Sequence, residues 1–314
     1  SANLGVVELT LALHAVFDFP QDKLIFDVGH QSYVHKLITG RTLETLRRKG
    51  GTGGFPDPEE SEYDAFVAGH SGTSIAAGIG LCNARDLRGE NYKVISLIGD
   101  ASLGNGTALE AVFSSETKPK NFVVVHNDNG MSISKNQSAL YRSLSKMTAK
   151  KRYRKVNSFL GRTFKETGAF GRKLRKFKYF LKGWLNKYDF FERCGFKYIG
   201  PVDGHDLREL LAVLSNIRKM DEPVFLHAVT CKGKGYAPAE EDPSRFHGTG
   251  KNFAAGENSF STALGRLLCE RAEQNKNLVA VTAAMKDGVG LSEFSQKFPD
   301  RCFDVGICEE YAVT

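Results

Sequence analysis

An α/β fold, with helices covering a parallel sheet, is predicted by three features of this sequence. Short β-branched runs alternate with helical patterns through the first 140 residues. Two of those runs are apolar nearly throughout, as strands buried on both faces are. Gly, Asp, Asn and His follow the runs, where strands of such a sheet open into loops. Composition agrees: 314 residues with 41% hydrophobic and 25% charged positions describe an ordinary globular chain with room for about two domains. Disorder, collagen and coiled coil are thereby excluded as its main state.

Residues 24–28, 94–98 and 122–125 are the first strand candidates, and 107–115 has the pattern of a crossover helix between the latter two. Strand, helix and strand then make one right-handed βαβ unit, and ligands in such sheets collect beyond the carboxyl ends of the strands. Residues 141–190 break this regularity. Leu174, Phe177, Leu181, Trp184, Leu185 and Tyr188 recur there at helical spacing among Lys and Arg, which predicts a basic amphipathic helix. Regular structure resumes with a buried strand at 224–229 and a Gly-rich loop at 232–236. Residues 242–258 are rich in Pro, Gly, Ser and Asn, as linkers are. A helix at 259–273 and strands near 278–282 and 303–307 then begin a second α/β unit, expected to be incomplete at Thr314. The expected domains are 1–245 with a basic insertion at about 141–190, a linker at 246–258, and 259–314.

Net charge is +7, but 141–190 holds 16 Lys or Arg against Glu166 and Asp189, so this stretch alone is +14. Such a segment could contact nucleic acid or an anionic membrane surface. No compact binding motif accompanies the charge, which favours a solvated insertion instead. No run of about 18 apolar residues is available to span a membrane, and the N-terminus lacks the features of a signal peptide. The cysteines at 82, 194, 231, 269, 302 and 308 have no metal or redox spacing, which predicts reduced thiols in a cytoplasm.

The chemistry-bearing residues cluster after the strands. The second strand ends in Gly99-Asp100-Ala101 and the third in Asn127-Asp128-Asn129-Gly130. The βαβ geometry makes Asp100 and Asn129 neighbours, and an anionic with a neutral oxygen suits an octahedral Mg²⁺ that keeps positions open for phosphate oxygens. Gly69-His70-Ser71-Gly72-Thr73-Ser74 precedes a small-residue helix whose N-terminus would favour phosphate. His30 follows the first strand. Each signal alone has an ordinary explanation in turn or cap chemistry. Their convergence on one sheet edge is what points to a metal-bridged diphosphate.

In register along the chain stand Asp27-Val-Gly-His-Gln, Gly69-His-Ser, Gly99-Asp100 with Asn127-Asp-Asn129 and Met131-Ser-Ile-Ser, Gly200-Pro-Val-Asp-Gly-His205, Lys232-Gly-Lys-Gly-Tyr236, and Phe298-Pro-Asp-Arg301 followed by Asp304-Val-Gly. Together they resemble the 1-deoxy-D-xylulose-5-phosphate synthase family of transketolase-like enzymes. The resemblance implies a thiamine-diphosphate-binding fold, with a diphosphate-binding domain and the start of a pyrimidine-binding domain. It implies Mg²⁺ held by Asp100, Asn129 and the Met131 carbonyl, and a cofactor lined by His30, Gly69, His70, Ser71, Ala101, Ser102, Asn129, Tyr236 and Glu309. Glu309 would share a proton with a pyrimidine nitrogen of the cofactor. For that role it is expected to be buried, desolvated by 305–308, with Glu310 pointing the other way on a strand. His30 and His247 would transfer protons or stabilise oxyanions.

The implied reaction joins pyruvate to glyceraldehyde 3-phosphate with loss of CO₂, serving isoprenoid, thiamine and pyridoxal biosynthesis. A cytoplasmic homodimer with no membrane or nucleic-acid partner is implied too. Transketolase-type ketol transfer is the rival enzyme reading; surface binding through 141–190 or an inactive scaffold fragment are the rivals of another class. Two positions depart from the family pattern. Ala101 stands where the wider motif has Gly, which requires a negative φ there, and Glu310-Tyr311 replaces Gln-His.

Overall fold

In the computed structural model, residues 2–114, 118–130, 189–243, 246 and 259–314 are described. Met131, His247, the expected amphipathic helix within 141–190 and all of the linker except Phe246 lie outside these residues.

The β-branched runs form one five-stranded parallel sheet in the order β1-β2-β3-β5-β4. Its strands are β1 (Lys23–Phe26), β2 (Val94–Gly99), β3 (Phe122–Asp128), β4 (Lys197–Asp203) and β5 (Val224–Val229). The central strands are buried on both faces, which is why they read as continuous apolar runs. Alternation still sorts their side chains. Val123 and Val125 join Leu24, Phe26, Ile95, Leu97 and Leu226 under helices α1 (Val7–Val16) and α6 (Leu207–Arg218), which contribute Leu9, Leu13, Leu210 and Leu214. Phe122 and Val124 face the opposite layer, with Ile25, Ile98 and Phe225. That layer comprises α3 (Ser74–Leu87), α4 (Gly106–Phe113) and α5 (Asp189–Arg193), while α2 (Tyr33–Ile38) follows β1 and packs against α1. The result is a three-layer α/β/α arrangement.

The first strand is shorter than the expected 24–28. It ends at Phe26 because Val28 has φ of 61° and Gly29 of 91°, outside the strand region. That turn sends the chain across the carboxyl edge of the sheet, where His30 follows. The crossover helix, expected at 107–115, spans Gly106–Phe113, and Asn105 caps it by accepting from the Thr107 N–H at 2.9 Å.

Beyond the Gly-rich loop come α7 (Ala237–Glu241) and then a smaller unit. It contains α8 (Phe260–Gln274), α9 (Ser292–Lys297), α10 (Glu309–Val313) and a parallel pair, β6 (Ala280–Thr282) and β7 (Cys302–Asp304). Cys269, Ala272, Ala280, Leu291 and Phe294 form its core. The last strand was expected to reach 307. It stops at Asp304, whose carboxylate accepts from the Ala284 and Gly306 N–H groups, while Gly306 takes φ of 76°. The chain then turns into a helix, so Glu309 and Glu310 do not alternate across a strand.

Helix α3 lies close to the sheet because position 78 has no side chain. A Cβ there would meet the Phe122 ring and the Ser96 hydroxyl at 2.5 Å. Gly78→Ala is therefore expected to lower stability by about 1–3 kcal/mol through overpacking. An unchanged urea midpoint would contradict this packing.

Candidate active site at the carboxyl edge of the sheet

The sheet register brings Asp100 and Asn129, two of the three predicted metal residues, to adjacent strand tips. Gly99 pairs with Asn127, and the Asp100 N–H continues the ladder to the Asn127 carbonyl at 3.2 Å. Asp100 and Asn129 therefore leave adjacent strand tips. Asp100 is buried, and its Oδ2 has no hydrogen-bond partner among the described residues. Burial first, and the nearby Asp128 carboxylate second, push its carboxyl up to about 8. A buried anion without a partner costs several kcal/mol unless it is neutralised by a proton or a cation. Among the described residues no group of three or more His, Cys, Asp or Glu could hold a metal ion. A cation here would rest on one carboxylate, an amide and carbonyl oxygens, leaving positions for ligand oxygens. This all-oxygen, low-charge set fits Mg²⁺ bridging to a diphosphate.

Behind this tip lies a buried polar chain that the sequence reading did not find. Asp128 Oδ2 accepts from His227 Nε2 at 2.9 Å, and His227 Nδ1 meets the Tyr198 hydroxyl at 2.7 Å. Burial, the largest single effect, would raise the Asp128 carboxyl, but the His227 hydrogen bond together with the His126 and His227 rings and the Gly130 N–H holds it below the ordinary range. Lys232, also missed, is buried at the end of β5. Burial lowers its ammonium to about 8 against the attraction of Asp100. The signal of Lys232 was available, since it opens the Gly-rich loop after a buried strand.

The glycine loop before α3 is held from the first strand. Asp27 accepts from the Gly72 and Ser74 N–H groups at 2.9 and 3.1 Å, taking the capping role expected of a loop Ser or Thr. Gly69 and His70 are exposed beside it and Ser71 is half-buried. Ala101 has φ of −71°, so its methyl is accommodated, and Ser102 is buried next to it. Half-buried His30 is lowered to about 4, first by burial and then by Lys232, and is neutral at pH 7. Tyr236 is exposed and packs edge-on against Phe246 at 5.8 Å.

The Glu309 environment departs from expectation. Glu309 is exposed, on a five-residue helix with no buried residue, so the desolvating pocket expected from 305–308 is not formed by them. Its carboxylate nonetheless reaches the loop before α3: Oε1 accepts from Ser71 Oγ and Oε2 from Asn105 Nδ2, each at 2.9 Å. Glu310 points the same way, accepting from Thr107 Oγ1 at 2.8 Å. Successive helical residues at a turn start can both reach one neighbouring helix end, which alternating strand residues cannot.

A buried ion network braces the segment between His30 and this loop. Asp64 accepts from His35 Nε2 at 2.8 Å and from both Arg41 Nη atoms at 2.6 and 2.9 Å. His35 Nδ1 meets His14 Nε2 at 2.9 Å, and Lys36 donates to Glu60 at 2.5 Å. Against the opposing effect of burial, the His35 and Arg41 hydrogen bonds hold Asp64 well below the usual carboxylate range. Burial, then the His35 charge, lowers His14 to about 4.

Comparison with known proteins bears on this arrangement. The family described as 1-deoxy-D-xylulose-5-phosphate synthase matches residues 1–230, and that described as transketolase, pyrimidine binding domain, matches residues 257–314. The 1-deoxy-D-xylulose-5-phosphate synthase of Syntrophomonas wolfei is 48% identical over 327 residues, covering 100% of this chain and 51% of its own length. That of Clostridium acetobutylicum is 46% identical over 326 residues, covering 100% of this chain and 53% of its own. The chain thus spans about half the length of these relatives. A Pichia stipitis transketolase variant crystallised with fructose 6-phosphate shares the fold, with a TM-score of 0.52 at 15% identity over 95% of this chain and 43% of that one. Among the described residues no helix is long and apolar enough to cross a membrane.

The ion network has a definite pH signature. His14 binds a proton more weakly folded, at about 4, than its ordinary value of 6.5, so its contribution is complete above 6.5 and is lost as pH falls toward 4. Depressed Asp64 acts in the same direction at still lower pH. Compared with the unsubstituted chain, His14→Gln is expected to lose less of its urea midpoint between pH 7 and pH 4. The same pH dependence in both would contradict the network.

Proposed function

Since the chain belongs to the 1-deoxy-D-xylulose-5-phosphate synthase family, we propose that its carboxyl-edge site binds thiamine diphosphate through Mg²⁺. The reaction proposed is condensation of pyruvate with glyceraldehyde 3-phosphate to 1-deoxy-D-xylulose 5-phosphate and CO₂, at the head of isoprenoid, thiamine and pyridoxal biosynthesis. A cytoplasmic homodimer is part of the proposal. The observation that carries it is the buried Asp100 Oδ2 with no hydrogen-bond partner among the described residues, at a strand tip adjacent to that of Asn129 and near the Asp128 carboxylate.

Asp100 and Asn129 would hold Mg²⁺, with the Met131 carbonyl, outside the described residues, as a third donor. Ala101 and Ser102, Gly69, His70 and Ser71 would line the diphosphate and the ring system, with Tyr236 contributing from the Gly-rich loop. Lys232 would offset diphosphate charge from within the protein, where a cation acts with less screening than in water. Bound there, thiamine diphosphate supplies the electron sink for the two-carbon unit drawn from pyruvate. Glu309 is the carboxylate that handles the proton at the pyrimidine, with its oxygens oriented by Ser71 and Asn105. Neutral His30 can donate or accept a proton at its ring, as a group serving a developing oxyanion must. His247, outside the described residues, is proposed for the same work.

Calorimetry with Mg²⁺ and thiamine diphosphate tests the site. Binding is expected for the chain, with a loss of about tenfold or more in Asp100→Ala, since a metal ligand and its charge are removed together. Equal binding by both would refute the metal assignment. In an assay of the holoenzyme, CO₂ release from pyruvate that depends on glyceraldehyde 3-phosphate is expected. Ketol transfer without CO₂ would assign the chemistry to the transketolase type instead.

A further inference from the structure

Asn105 lies at the N-cap of α4 and touches three elements at once. Its Oδ1 accepts from the Thr107 N–H at 2.9 Å, the ordinary task of a capping side chain. An amide with its oxygen committed to a backbone donor has its nitrogen turned the other way. That nitrogen donates to Glu309 Oε2 at 2.9 Å, across 204 positions of sequence. The cap therefore decides which end of the amide meets the carboxylate, and the carboxylate meets a donor. Asn105 is 2% exposed and is seated against Gly72, where a Cβ would lie 2.3 Å from Oδ1. With φ of 84°, Gly72 both turns the loop and leaves the space the amide occupies.

The second Glu309 oxygen is held independently by Ser71 Oγ at 2.9 Å, and Glu310 by Thr107 Oγ1 at 2.8 Å. Two adjacent carboxylates thus meet the N-terminal end of α4, where the helix dipole and the hydroxyl and amide donors favour negative charge. A carboxylate on an exposed five-residue helix has many rotamers open to it. Two short hydrogen bonds, one to each oxygen, remove most of them.

We infer that Asn105 is a positioning residue that fixes the Glu309 carboxylate for its proton-handling role, using the α4 cap to set its own orientation. The inference rests on the assignment of Glu309 proposed above. A capping role alone and a positioning role separate in one substitution. Asn105→Asp keeps an acceptor for the Thr107 N–H and is as good a cap, but replaces the donor facing Glu309 with a like charge.

The test uses the 314-residue chain saturated with Mg²⁺ and thiamine diphosphate in deuterated buffer, following loss of the thiazolium C2 proton by acid quench and NMR. Asn105→Asp is expected to slow this exchange by about tenfold to a hundredfold, the scale of a misplaced catalytic group. Exchange at the wild-type rate would overturn the positioning role. Glu309→Gln, run in parallel, is expected to slow exchange at least as much. If it does not, the Glu309 assignment itself fails, and the inference with it. A readout without cofactor comes from urea denaturation. The Asn105→Asp/Glu309→Gln double variant restores a donor–acceptor pair with the roles exchanged, so its midpoint should recover part of what Asn105→Asp loses. Strict additivity of the two single changes would overturn the contact.

Discussion

A carboxylate buried at the end of a strand with one oxygen unmatched is the constraint around which this site is organised. Asp100 sits where the apolar β2 opens onto the carboxyl edge, buried, with its Oδ2 lacking a hydrogen-bond partner among the described residues. Proteins do not keep such a group without a counter-ion or a proton, because the solvation it loses is worth several kcal/mol. The neighbouring Asp128 sharpens the demand. It is kept ionised by His227, which is itself oriented by Tyr198, so the negative potential at the strand tip is built from three residues of three strands. The buried Lys232 ammonium acts on Asp100 electrostatically and offsets part of that charge.

Around this centre the loops are held by backbone-directed polar groups. Asp27 turns the glycine loop toward the edge by accepting two of its N–H groups, and the positive φ of Val28 brings His30 over the same edge. Strain of this kind at a β-branched residue is sustained only where surrounding contacts over-determine the backbone, as they do at functional sites. The smaller unit joins the site through Glu309 and Glu310, which reach Ser71, Asn105 and Thr107.

The sheet was legible because its strands are buried on both faces and so read as unbroken β-branched runs; 224–229 was found to the residue. Asp100 and Asn129 were legible for a topological reason, since two parallel strands joined by one helix must bring their ends together. Glu309 was singled out by motif, but its surroundings were misread. The apolar 305–308 suggested a continuing strand, while Gly306 at positive φ had already ended it. His227 and Asn105 were missed for a different reason. Each acts through a partner distant in sequence, and nothing in the spacing of a lone His or Asn announces which strand tip or carboxylate it will meet.

The most direct measurement is diffraction at the manganese edge from crystals of this chain grown with Mn²⁺ in place of Mg²⁺ and with thiamine diphosphate. An anomalous peak coordinated by the Asp100 carboxylate and the Asn129 amide, adjoining the diphosphate, is the expected result. Manganese bound elsewhere, with Asp100 Oδ2 still unligated and the cofactor ordered, would contradict the assignment of that buried oxygen to a divalent cation.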